Sequence, residues 1–363
     1  MAMGGSAAIS VELCFMVVVL AFLVVEAELG SALMTKDYIS WDDMRVSNPR
    51  RERTNLRQVP SKVIVVDGSG YGGDSFTVQG AIDMVPEGNS DRVKIVIRPG
   101  TYREKVHIPF TKPYISLIGD ENHGSDTIIT WNDKASDRSS DGSELGTYRS
   151  ASVTVESDYF CATGITIQNK VVAVPGWSGM QAVALRINGD KAVLYRVRVL
   201  GTQDTLLDEA GSHYFLQCLI QGSVDFIFGR SRSLYEECVI HSIADQFGAI
   251  AAHHRDSPDE DTGFSFVNCI VNGTGSVYLG RAWGDYSRVV YSYSYLDRVI
   301  NPRGWSDWNH PYRQRTVVFG EYRCRGAGAN MRGRVTWSKS LSSMEAGQFL
   351  DRSFIGGETW LRL

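Results

Sequence analysis

The chain has 363 residues and a net charge of −4, from 37 Lys and Arg against 41 Asp and Glu. That balance offers no basic excess for nucleic-acid binding, and 43% hydrophobic residues supply a core that a disordered chain lacks. With 36 Gly and 10 Pro the chain is neither collagen-like nor linker-rich, and six cysteines are too few for a small disulfide scaffold.

The first 32 residues stand apart. Leu13 to Val25 is an unbroken apolar run of thirteen, followed by small residues at Gly30-Ser31-Ala32. This reads as a secretory signal peptide over 1–32, with a buried strand or a signal anchor as the competing reading. The segment before the run has no Lys or Arg and carries Glu12, which is atypical of a signal. Cleavage removes Glu12, Glu26 and Glu28 and no base, so the mature balance is 37 against 38, or −1. Residues 33–62 are polar and irregular, with a basic cluster at Arg50-Arg51-Glu52-Arg53.

From residue 63 the chain reads as short strands, beginning at Val63-Ile64-Val65-Val66. Over 76–85, Val78, Ala81, Ile82 and Val85 recur at a helical spacing that Pro86 stops. Short β-runs follow at Val93–Ile97, Ile115–Ile118 and Ile165–Ile167. A repeat then emerges. Aligned on their ends, Arg196–Gly201, Gln217–Gly222, Glu237–Ser242 and Asn268–Gly273 place Val197, Cys218, Cys238 and Cys269 at one position. The steps are 21, 20 and 31 residues. A period near twenty with one strand motif per repeat predicts a parallel β-helix, capped by the helix at 76–85.

The repeat also places polar residues on adjacent coils. Asp204 and Asp225 are 21 apart, and Gln181 and Gln203 are 22 apart. Two carboxylates about 5 Å apart cannot both ionise easily, which creates an acid and a base from one residue type. The same spacing also suits turn-forming aspartates or a Ca²⁺ site. Arg281 is a candidate counter-charge that spacing alone cannot place.

These residues carry a family resemblance. Gly100-Thr101-Tyr102-Arg103-Glu104, Gln181-Ala182-Val183-Ala184-Leu185, Gln203-Asp204-Thr205-Leu206, Asp225-Phe226-Ile227-Phe228-Gly229 and Leu279-Gly280-Arg281-Ala282-Trp283 occur in the order found in plant-type pectin methylesterases. The opening Asp67-Gly68-Ser69-Gly70 and the closing Phe354 to Leu361 fit as well. The chain resembles the form without an N-terminal inhibitor-like domain, and the likeness spans about 63–363. It implies an all-β, right-handed parallel β-helix that removes methyl esters from pectin in the cell wall. It implies Asp225 as nucleophile, Asp204 as acid/base, Gln181 and Gln203 at the oxyanion, and Arg281 holding Asp225. Trp283 and Ser152 would contact the sugar. It implies no cofactor, no membrane span, a monomer, methyl-esterified homogalacturonan as substrate, and a proteinaceous inhibitor as a further partner.

Departures are visible. Ala282 stands where the family has Pro, which would loosen the loop bearing Arg281 and Trp283. His253-His254 stands where the family has Gln-Gly, and these read as surface or loop histidines at one end of the cleft. Thr202 replaces an aromatic. No Gly-x-Ser-x-Gly elbow exists for a serine esterase, and the motifs of polygalacturonases are missing. A wall-binding protein with lost activity remains as an alternative.

Five cysteines follow the signal. Stacked strand positions about 4.8 Å apart predict a Cys218–Cys238 disulfide, with Cys238–Cys269 as the rival and three free thiols as the alternative to both. Asn272-Gly273-Thr274 is a glycosylation sequon.

Overall fold

A computed structural model describes residues 38–46, 62–120, 124–174 and 176–363, so the signal segment and most of 33–62 lie outside the described residues. The chain winds as a right-handed parallel β-helix. Its first sheet has eleven strands from Lys62–Val66 to Lys339–Ser340, all paired in parallel. A second sheet begins at Gly100–Arg103 and runs through Thr127–Trp131, Thr166–Asn169, Arg198–Leu200 and Leu219–Gly222. A third runs through Val106–Ile108, Val153–Val155, Leu185–Ile187, Leu206–Asp208 and Val224–Gly229. The second and third merge where the long strands Val239–His253 and Ile270–Ala282 bend from one to the other.

The repeat is confirmed in register. Leu219 pairs with Val239 and Val239 with Ile270, so Cys218, Cys238 and Cys269 stack directly. Each motif opens with a left-handed residue that turns the chain from the first sheet to the second. Gly164, Arg196, Gln217, Glu237, Asn268, Tyr293 and Arg323 all have φ between 48° and 61°. Seven coils therefore share one single-residue turn, which explains a recurring motif built on such different side chains.

Inside, like stacks on like. Phe215, Tyr235, Phe266 and Tyr291 form a column with ring centroids 4.6, 4.6 and 4.4 Å apart and nearly parallel planes. That spacing matches the strand separation, so each coil buries its ring against the next. The helix Val78–Asp83 closes the amino-terminal end, with Val78, Ala81 and Ile82 buried in the same core. Thr77 caps it by accepting from the Gly80 amide at 3.0 Å, and Glu104 accepts from the Val78 and Gln79 amides.

Two sequence expectations change here. The segment before residue 62 is not wholly irregular: Ile39–Ser40 pairs in parallel with Leu361–Arg362, and Trp41 packs edge-on to Tyr195. A two-residue strand whose partner lies at the far end of the chain leaves no pattern to read. The Cys218–Cys238 bridge is absent, and both are free, buried thiols, as is Cys269. In-register stacking holds consecutive Cβ atoms about 4.8 Å apart, whereas a disulfide draws them to about 3.8 Å. The Cys218 thiol donates instead to the Leu194 carbonyl and the Cys238 thiol to that of Phe215.

Candidate active site

The outer face of the third sheet carries the site. Its floor is apolar: Ala151, Val183, Leu207, Phe228 and Ala252 are buried together, with Trp283 and Trp308 packed on them. Gln203 bridges to Val224 in parallel, and the Asp204 amide donates to the Val224 carbonyl at 3.1 Å. Asp204 and Asp225 thus occupy the same position on adjacent coils, as their spacing predicts. Both have positive φ, 60° and 47°, a left-handed conformation that Asp tolerates better than most residues.

Arg281 is brought to Asp225 by the fold. It lies on Ile270–Ala282, stacked on Ala252 and through it on Phe228. Its Nε donates to Asp225 Oδ1 at 2.8 Å, and Nη2 donates to the other carboxylate oxygen. This is the bidentate fork that Arg makes and Lys cannot. Asp225 is only 7% exposed. Burial raises its pKa, and the charge and hydrogen bonds of Arg281 oppose that rise. Asp204 is half-buried. Burial and then the Asp225 charge push its pKa well above the ordinary 3.8, offset in part by Arg281 and a hydrogen bond from Gln203. The two carboxyls therefore differ: one is held by a cation, the other is driven toward its neutral form.

The two glutamines also meet on adjacent coils. The Ala182 amide donates to the Gln203 carbonyl at 3.2 Å, and Gln181 accepts from the Ala135 amide through its own carbonyl. The Gln181 Oε1 atom is buried with no protein partner. Trp283 packs against Phe228, ring centroids 6.1 Å apart, and edge-on against His254 at 4.7 Å.

Ser152 requires a correction. It is fully buried, and its hydroxyl donates to the Gln168 carbonyl at 3.0 Å, so it presents nothing to a sugar. It directly precedes the inward-facing Val153, and its side chain is used to tie two coils. His253 is a second correction: it is fully buried, not a surface residue. Its Nδ1 accepts from the Arg288 amide, and burial, with the nearby Arg288 charge, lowers its pKa to about 3. His254, next along the strand, faces the other way and does line the cleft beside Trp283. Ala282 does not loosen its segment: it is fully buried, and Arg313 donates to its carbonyl at 2.7 Å. Thr202 is likewise structural, donating to the Val171 carbonyl and accepting from the Ala173 amide.

Trp308 was not singled out by the sequence. Its ring centroid lies 3.8 Å from the Arg281 guanidinium carbon. Among the described residues no group of three His, Cys, Asp or Glu side chains is placed to hold a metal ion, and no helix is long and apolar enough to cross a membrane.

The outer face of this parallel β-helix thus pairs an arginine-held carboxylate with a second carboxyl one coil away. Residues 62–358 match the family model described as Pectinesterase, and the chain belongs to that family. It is 58% identical to pectinesterase QRT1 of Arabidopsis thaliana over 97% of each chain. Pectin methylesterase from carrot superposes with a TM-score of 0.74 at 37% identity, covering 84% of this chain and 96% of that one. The Aspergillus niger enzyme gives 0.69 at 31% identity, covering 84% and 96%. The protein is a carboxylic ester hydrolase.

Proposed function

We propose that this protein is secreted to the cell wall after loss of residues 1–32. There it removes methyl esters from homogalacturonan as a monomer, releasing methanol and free galacturonate carboxylates. The observation that carries the reading is the Asp225–Arg281 fork with Asp204 one coil away. The ionised Asp225 attacks the ester carbonyl carbon, and the amides of Gln181 and Gln203 donate to the oxyanion. As the tetrahedral adduct collapses, the C–O bond to methoxide breaks and Asp204 supplies the proton that makes it methanol. The acyl-enzyme is then hydrolysed. Asp204, now a carboxylate, takes a proton from water as the hydroxide adds to the acyl carbon. Asp225 leaves as the carboxylate and Asp204 is protonated again. Asn272 would carry a glycan, and a proteinaceous inhibitor would cover the cleft.

Titration of methanol released from methylated homogalacturonan tests this directly. A folded, carbohydrate-binding protein that releases none would support the wall-binding alternative instead. The proposed sugar platform has its own expected result. Trp283→Ala raises KM about tenfold, equivalent to about 1.4 kcal/mol, with kcat nearly unchanged and the unfolding midpoint preserved. An unaltered KM would remove Trp283 from the substrate path.

A further inference from the structure

We propose that Trp308 is a positioning residue for the nucleophile: its indole covers one face of the Arg281 guanidinium and fixes the fork that holds Asp225. The inference rests on the reading of Asp225 as nucleophile and adds a residue that acts through Arg281 rather than on the substrate.

Three observations carry it. The ring lies 3.8 Å from the guanidinium carbon, the closest cation–ring approach among the described residues. The guanidinium spends Nε and Nη2 on Asp225, so its edge is committed and its face is what remains to be held. The chain also goes out of its way to put the ring there. Trp305–Ser306 continues the third sheet, with Ser306 stacked on Arg281 and Trp305 buried inside on Phe319. Trp308 and Asn309 then both take left-handed φ, 58° and 59°, which is costly for a tryptophan. That reversal is braced from several sides. The Trp308 amide donates to Ser306 Oγ, the Asn309 amide to Asp307 Oδ1 at 3.0 Å, and Gln314 Nε2 to Asp307 Oδ2 at 2.7 Å.

The charged groups facing Asp225 are Arg281, from the strand Ile270–Ala282, and Asp204, from the coil before. Loosening the first leaves the second and the burial unopposed. Trp308→Leu therefore shifts the acid limb of the kcat/KM–pH profile up by about one unit, and kcat/KM on that limb drops about tenfold. Trp308→Phe, which keeps a ring over the guanidinium, restores most of both. A Trp308→Leu variant that raises KM with the acid limb unmoved would make Trp308 a plain sugar contact and overturn the proposal. If Trp308→Leu fails to fold, Trp308→Met, apolar but without a ring, carries the same comparison against Trp308→Phe; an acid limb in Trp308→Met identical to that of the wild type would overturn it equally. Failure of the underlying reading is distinguishable, because it would appear as retained turnover in Asp225→Asn whatever Trp308 does.

Discussion

An Asp225→Asn variant is expected to release methanol from methylated pectin at a rate lower by on the order of 10⁴- to 10⁶-fold, the scale on which loss of a covalent nucleophile acts. The amide keeps the size of the carboxylate but offers Arg281 one acceptor where the fork uses two, so the fold should be kept with a lowered unfolding midpoint. Wild-type-like turnover would exclude the mechanism. Asp204→Asn should cost about 10²- to 10⁴-fold, since methoxide is a poor leaving group without a proton. The pH profile follows from the same geometry. Asp225 acts ionised, so activity is lost as pH falls through its pKa, which burial raises and Arg281 restrains. Asp204 acts protonated, so activity is lost as pH rises through its pKa, which burial and the Asp225 charge push well upward. A bell results, and its two limbs belong to the coupled pair. An alkaline limb unchanged in Asp204→Asn would reassign the acid.

The coil period was legible because one left-handed turn recurs before one inward position, which Val197, Cys218, Cys238 and Cys269 fill with small side chains on four successive motifs. Adjacent-coil placement of Asp204 and Asp225 followed from it without further help. Arg281 did not, because 56 residues and two bends of the sheet separate it from its partner. Trp308 was illegible for a different reason. Trp305 and Trp308 sit three apart, and only the two left-handed residues send one inside and the other over Arg281. The disulfide expectation failed on a dimension that sequence spacing does not contain. The Cα separation of stacked strands suits a bridge, but the parallel Cβ vectors do not converge. Ser152 and His253 failed on burial: each lies beside cleft residues in sequence, yet the alternation of the strand or a tie between coils turns the side chain inward.

The coil that carries Asp204 ends in a buried ion pair, and its loss is expected to have the largest effect on stability. Asp208 closes Leu206–Asp208, and His213 is the second residue of Ser212–Leu216, the next strand of the first sheet, after a short turn. Both are fully buried. His213 Nδ1 donates to Asp208 Oδ1 at 2.5 Å and Nε2 donates to the Gly189 carbonyl at 2.8 Å, while the Tyr235 hydroxyl donates to Asp208 Oδ2. With both ring nitrogens donating, the imidazole is charged. Burial alone would lower the His213 pKa, but the Asp208 charge outweighs it and the net is a rise above 6.5. Burial would raise that of Asp208, but His213, Ser233 and Tyr235 bring it below 3.8. The signs then set the window. The His213 contribution is complete below 6.5 and is lost as pH climbs through its raised value. The Asp208 contribution is complete above 3.8 and is lost as pH falls through its lowered value. Between those two ordinary values the pair stabilises most. His213→Ala strands a buried carboxylate and should cost about 3–5 kcal/mol at pH 5, read as a lower denaturant midpoint. The deficit relative to wild type should shrink toward alkaline pH, as the wild type itself loses the imidazolium. A deficit equal at pH 5 and pH 9 would mean that the pair is not ionised in the folded protein, and that His213 serves the solenoid only as a neutral hydrogen-bonding residue at the corner of the Asp204 coil.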